Sequence, residues 1–183
     1  MSVLSSKVGG DANAVPVLLR KYLDREEDYR DILGKPVTCN GHENAIRSGG
    51  IEGQVAVAAA RPGCVGVLVV LDSETLPVCE LGPSLLERAL TATSKPCLVT
   101  LAETMFESWI ISSAESMELS GLVYRPSRNP VSLFREALSP VKYVKPVWQP
   151  RLASRIDLEL ATGRSPGLMR LFVKLELLRR ALQ

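Results

Sequence analysis

The run Cys64-Val65-Gly66-Val67-Leu68-Val69-Val70-Leu71 constrains the fold more than any other stretch of the chain. It is β-branched and apolar at nearly every position, so it has no polar face to turn toward water. Its length suits a strand and falls far short of the roughly 20 residues a membrane helix needs. A strand apolar on both sides belongs in the middle of a parallel sheet with helices packed on each face. It stops at Asp72-Ser73-Glu74, which puts two carboxylates at the carboxyl end of a central strand, where open parallel sheets place their ligands.

The flanking pattern alternates in the same way. A β-like stretch over 3–8 breaks at Gly9-Gly10, and Val15, Leu18, Leu19, Tyr22 and Leu23 then recur at helical spacing. A short strand is expected within 35–40, a polar loop over 41–50, and a helix over 51–60 that stops at Arg61-Pro62-Gly63. A helix over 84–92, a strand over 96–102 and a helix carrying Phe106, Glu107, Trp109 and Ile110 complete an α/β alternation with a mainly parallel sheet. Beyond Gly121, prolines at 126, 130, 140, 146 and 150 predict loops and brief helices lying across the sheet. Two helices close the chain, one over about 150–162. The other has Ser165 as N-cap, Pro166 at its first position and an apolar stripe through Leu168, Leu171, Phe172, Leu175, Leu178 and Leu182. With 183 residues the expectation is one domain, its core over about 1–120 and a loop-rich helical extension over 121–183.

Charge narrows the function classes. The formal net charge is +2, from 22 basic and 20 acidic side chains, so no global field draws the protein to nucleic acid or an anionic membrane. Arg151, Arg155, Arg164, Arg170, Lys174, Arg179 and Arg180 read as solvated helix faces, with a phosphate-contacting stripe as the minor alternative. No signal peptide is evident, and a cytoplasmic location is the default expectation. The four cysteines, at 39, 64, 79 and 97, are widely spaced, and His42 is the single histidine, so neither zinc nor a disulfide framework is expected. His42 reads as an exposed loop residue, and no serine or cysteine joins it in a triad.

Three places lie at the carboxyl ends of strands: the turn 7–11, the acidic turn 72–74 and the junction 103–107. Asp72 and Glu74 are hard oxygen ligands suited to Mg²⁺ or Mn²⁺, and such an ion polarises a phosphodiester and acidifies an attacking water. An ordinary acidic strand terminus is the competing reading. Glu103 serves equally as an acid at a helix N-terminus. Trp109 reads as core, with its indole N–H needing one acceptor.

The order of elements resembles the Toprim domain of primases, topoisomerases and overcoming-lysogenization-defect nucleases. It is similar above all to a family of small stand-alone Toprim-like bacterial proteins of unassigned function, some of whose relatives are paired with ABC-type ATPases in phage defence. The matching stretches are Lys7-Val8-Gly9-Gly10-Asp11 with Ala14 to Arg20, Leu71 to Pro77 with Glu80-Leu81-Gly82-Pro83, Glu103 to Ile110, and Gln149-Pro150 through Ile156-Asp157-Leu158-Glu159 to Arg164-Ser165-Pro166. The resemblance implies a Rossmann-like Toprim fold and a Mg²⁺- or Mn²⁺-dependent nuclease or phosphoryl-transfer site. Its metal ligands would be Asp11, Asp72 and Glu74, with Glu107 as an additional ligand or a nearby acceptor. It also implies nucleic acid and an ATPase as partner classes, without a membrane, and leaves room for a homo-oligomer.

One departure weakens that implication. Where the family has Glu followed by Gly, this chain has Lys7-Val8, so the expected general base or metal ligand is replaced by an ammonium that opposes a divalent cation. Lys7 is thus counted with Asp11, Asp72 and Glu74 among the catalytic-site residues, as the one that makes the site degenerate. The alternative is a non-catalytic interaction or regulatory module that keeps the fold. Convergence of Asp11, Asp72 and Glu74 on one point would separate the two.

Overall fold

The computed structural model describes residues 1–5 and 11–181. Lys7, the turn around it and Leu182 lie outside the described residues, and of Asp11 the backbone alone is described.

Four strands form one parallel sheet in the order β2-β1-β3-β4, with β1 Ser2–Ser5, β2 Val37–Thr38, β3 Val67–Asp72 and β4 Cys97–Ala102. All six residues of β3 are buried, as a strand with no polar face requires. The registers Val3↔Leu68 and Leu68↔Leu98 fix which side chains share a face. Val67, Val69, Leu71, Cys97, Val99 and Leu101 point to one face, and Val3, Leu68, Val70 and Ala102 to the other, the two-residue period of a pleated strand.

From β1, helix α1 (Asp11–Arg25) leads outward to β2 across one face. Helices α2 (His42–Ile46) and α3 (Gly50–Ala59) return over β1 to β3 on the opposite face, and α4 (Val78–Leu90) continues there to β4. Moves in opposite directions on opposite faces keep the crossovers of one hand. They also make the strand order reverse between β1 and β3, which opens a crevice at the carboxyl ends of those two strands.

After β4 come α5 (Glu107–Ile111), a 3-10 turn at Ala114–Met117, α6 (Pro130–Leu138), α7 (Lys145–Arg155), α8 (Leu158–Arg164) and α9 (Pro166–Arg180). All of them pack on the α1 face. Buried Leu152, Leu168, Leu171, Phe172, Leu175 and Leu178 belong to the same apolar cluster as Val3, Leu18 and Leu23. Residues 121–181 therefore complete the core instead of lying over a finished one.

The prolines divide the chain less than expected. Pro16, Pro83 and Pro150 each lie inside a helix, and each is its sixth residue, so a single early backbone bond is lost near a terminus that has unpaired donors in any case. Helix α4 accordingly starts at Val78 instead of residue 84, with Cys79, Glu80, Pro83 and Ser84 exposed where the missing bond costs least. The stretch expected as one helix over 150–162 is two, α7 and α8, the second capped by Asp157 through Leu160 N–H at 2.9 Å. The stretch 41–50, expected as a polar loop, contains α2. Its junction with α3 is so tight that a Cβ on Gly50 would stand 1.9 Å from the carbonyl oxygen of Asn44.

Candidate functional site

Asp72 is the last residue of β3 and only 2% exposed, and Ser73 beside it is equally buried. Glu74 is exposed, in the left-handed region at φ 52°. The turn is locked to the one after β4. Ser73 N–H donates to Ala102 O at 2.9 Å, Glu74 N–H to Thr104 O at 3.0 Å, and Thr104 N–H to Ser73 Oγ at 2.9 Å. Thr104 also has positive φ, 66°, and a β-branched residue held there is under backbone strain. Two strained residues at adjacent strand ends mark a place the surrounding structure holds rigidly.

His42 overturns its reading as an exposed loop residue. It opens α2, is 6% exposed, and its Nδ1 lies 2.8 Å from the backbone oxygen of Asp72. A carbonyl only accepts, so Nδ1 carries the proton and donates it to Asp72 O. The Asn40-Gly41 pair, with φ of 55° and 112°, turns the chain so that the ring meets the end of β3. Asn-Gly before a histidine was the available sign of a sharp turn into a helix, but nothing in the sequence pairs residue 42 with residue 72.

Glu107, the first residue of α5, is wholly buried. Its Oε1 accepts from the Tyr143 hydroxyl at 3.1 Å and is met by the Lys145 ammonium at 2.8 Å, while Oε2 has no hydrogen-bond partner among the described residues. Lys145 begins α7, and buried Gln149 follows one turn later on the same side. The carboxylate proposed as an additional ligand is thus already neutralised by a cation from the C-terminal region. Among the described residues no three His, Cys, Asp or Glu side chains form a group able to hold a metal ion. Asp72 and Glu74 share one turn, and Glu107 belongs to a separate buried cluster.

Trp109 is fully buried, with its ring edge-on to Phe106 at 5.9 Å, and its indole N–H finds an acceptor in Glu103 at 3.4 Å. Glu103 also receives Arg170 at 2.9 Å. Its carboxylate presses on the first turn of α9, where a Cβ at Gly167 would come within 2.3 Å of Oε2. The acid therefore sits at a helix N-terminus, but that of α9 and not of its own helix.

The C-terminal basic residues are mostly engaged and do not form a free stripe. Arg155 donates to Met117 O, Arg164 to Glu115 and Ser112 O, Lys174 to Val99 O, and Arg179 to Glu176 and Asp28. Arg180 also reaches Glu176, and Arg151 stacks over Trp148. Burial, helped by nearby Arg170, lowers the Lys174 pKa. Cys39, Cys64 and Cys97 are buried thiols outside any disulfide, and Cys79 is exposed. Burial pushes Cys39 up to about 12, and burial together with the neighbouring Cys64 pushes Cys97 up to about 11, so these two serve as core residues and not as thiolate nucleophiles.

Among the described residues no helix is long and apolar enough to cross a membrane. Compared with protein-family models, curated proteins and solved structures, the chain matches none of them.

Proposed function

We propose that the chain is a Toprim-like protein with a degenerate divalent-metal site for phosphodiester chemistry at the crevice between β1 and β3. One observation carries this reading: Asp72 and Glu74 sit on a rigid turn at the carboxyl end of the central strand, beside the reversal of strand order. That is where an open parallel sheet binds ligands. Asp11 is the first residue of α1, the next described element after β1, and we assign the third acid of the set to the same crevice. Asp72, Glu74 and Asp11 are oxygen donors of the kind Mg²⁺ or Mn²⁺ takes with several waters retained. When bound, the ion supplies charge to polarise a phosphodiester and acidify water. The chain's own residues do the remaining work. The Ser73–Thr104 lock holds the carboxylates in place, and His42 pins the backbone behind them.

Lys7 is what reduces the site. A like charge at about 4 Å from a cation costs about 4 kcal/mol per unit charge at an effective dielectric near 20. The second reading, a non-catalytic interaction or regulatory module, is favoured by one observation, the Lys145 ammonium on Glu107. A partner of the ATPase class, and a role in phage defence, belong to either reading.

Titration with Mn²⁺ and Mg²⁺, paired with cleavage assays on single- and double-stranded DNA and RNA, tests the proposal. The wild-type chain is expected to bind Mn²⁺ weakly and to cleave slowly or not at all. Lys7→Glu should tighten Mn²⁺ at least tenfold, and Asp72→Ala in that background should abolish the gain. Full metal-dependent cleavage by the wild type would overturn the degeneracy. A Lys7→Glu chain that still ignores Mn²⁺ would overturn the metal site and leave the non-catalytic module.

A further inference from the structure

A cleft of about 500 Å³ opens beyond the carboxyl end of β4, between the 103–108 turn, the segment 124–130 and the junction of α8 with α9. Three arginines line it, Arg125, Arg128 and Arg164, against a single acid, Glu103. Most of this charge is matched: Glu103 by Arg170 at 2.9 Å, Arg128 by Glu136 at 2.6 Å and Arg164 by Glu115 at 2.7 Å. Arg125 is exposed and has no ion-pair partner among the described residues. The cleft therefore keeps one unmatched guanidinium, beside two others already held in position.

Its walls add to that sign. The N-terminal junctions of α6 and α9 both line the cleft, through Asn129-Pro130 and Ser165-Pro166, so the positive end of the nine-residue α6 lies at it, while that of α9 already carries the Glu103 carboxylate. The fold already uses this property, because the Glu103 carboxylate lies against the first turn of α9 in the space that the absent Gly167 side chain leaves. Thr104, Ser108 and Ser127 also line the wall. The guanidinium carbon of Arg164 lies 5.0 Å from the centre of the Tyr124 ring, a cation–π contact that, together with Glu115, holds it in position at the cleft wall.

We propose that this cleft binds the phosphoryl group of a phosphate ester, supplied by a small phosphate compound or by the phosphorylated end of a nucleic acid strand. Arginine forks match phosphate geometry, and the α6 helix end favours negative charge. Thr104 forms part of the cleft and also holds the Ser73-Glu74 turn, so a phosphate seated here lies beside the acidic crevice. The binding itself needs no metal and stands apart from the function proposed above.

Calorimetry on the whole chain in EDTA, at low salt, tests this with three probes: inorganic pyrophosphate, a short 5′-phosphorylated oligodeoxythymidine and its 5′-hydroxyl counterpart. EDTA removes the metal site, so failure of either proposal is read separately. Arg125→Ala is expected to weaken binding about tenfold, the loss of one charge-assisted hydrogen-bonding group, with Arg125→Lys recovering part of it. Arg151→Ala, a control on an arginine outside the cleft lining, should leave affinity unchanged. Preference for the 5′-phosphorylated over the 5′-hydroxyl strand assigns the nucleic acid end as source, and binding of pyrophosphate without that preference assigns a small phosphate. Absence of binding by all three probes, or equal weakening by Arg125→Ala and Arg151→Ala, overturns the site.

Discussion

The two faces of the sheet are closed in different ways. On one, Val67, Val69, Leu71, Cys97, Val99 and Leu101 meet Ile51, Val55, Ala58, Leu85 and Ala89 of α3 and α4. Every residue of that core lies between positions 37 and 101, and none is aromatic. On the other, Val3, Leu68 and Val70 meet α1 and all five helices after β4, and every aromatic residue of the chain except Tyr29 lies in or against this core. Small aliphatic helices close the first face from neighbouring sequence. The second needs bulk from residues more than a hundred positions away, with Tyr22 stacked on Phe172 at 4.3 Å as one such joint.

The largest consequence is for the C-terminal region. Removing residues 166–183 takes five buried side chains, Leu168, Leu171, Phe172, Leu175 and Leu178, from the second face. At about 1.5 to 3 kcal/mol each, their loss rivals the 5 to 15 kcal/mol that holds a whole domain together. The truncated chain is therefore expected to lose cooperative unfolding by circular dichroism. A truncated chain that melted as sharply as the full one would erase the contrast between the faces. Phe134→Ala, which empties a fully buried position stacked on Tyr143 at 5.7 Å, should cost about 3 to 5 kcal/mol in urea unfolding.

A wholly buried carboxylate, that of Glu107, lies inside the second face. Lys145→Met leaves the Glu107 carboxylate buried without its ammonium, a change that costs about 3 kcal/mol when one partner of a buried pair is removed. The double variant Glu107→Gln with Lys145→Met should recover most of it, because the amide needs no counter-charge. If the single variant is as stable as the wild type, Glu107 is not held by Lys145.

What the sequence made legible follows the same division. The run 64–71 announced a buried strand, and the helical spacing of the 51–60 stretch announced its cover, because each signal is local. Ser165-Pro166 announced α9 through cap chemistry that needs only neighbours. Pairings across distance were invisible: Glu107 with Lys145, Asp72 with His42, and Lys174 with the carbonyl of Val99. The acidic turn was legible as a strand end, whereas its lock to Thr104 joins two turns 31 residues apart. The arginines of the tail looked like solvated faces because single-sequence periodicity cannot distinguish a cation facing water from one tied to Glu115 or Asp28.

Acid sensitivity gives the finest comparison. On the second face Asp28 is 5% exposed and joins the end of α1 to α9. Its carboxyl is held far below the usual range, first by the Arg30 hydrogen bond and also by Arg179. On the first face Glu52 is paired with Arg88 at 2.7 Å between α3 and α4, both about a quarter exposed, and its pKa is lowered chiefly by that hydrogen bond. A depressed carboxylate contributes stability that is complete above its unfolded value and is lost as pH falls through its folded one. Both pairs should therefore fade in acid and neither should matter to the slope near neutrality. Solvent screening leaves the Glu52 pair worth less than about 1 kcal/mol. Asp28→Asn is thus expected to flatten the acid limb of the stability profile more than Glu52→Gln does, measured by urea unfolding from neutral pH down to pH about 3. Equal flattening would mean that the long-range joint to α9 contributes no more than a surface pair between neighbouring helices, and that the two faces differ in packing alone.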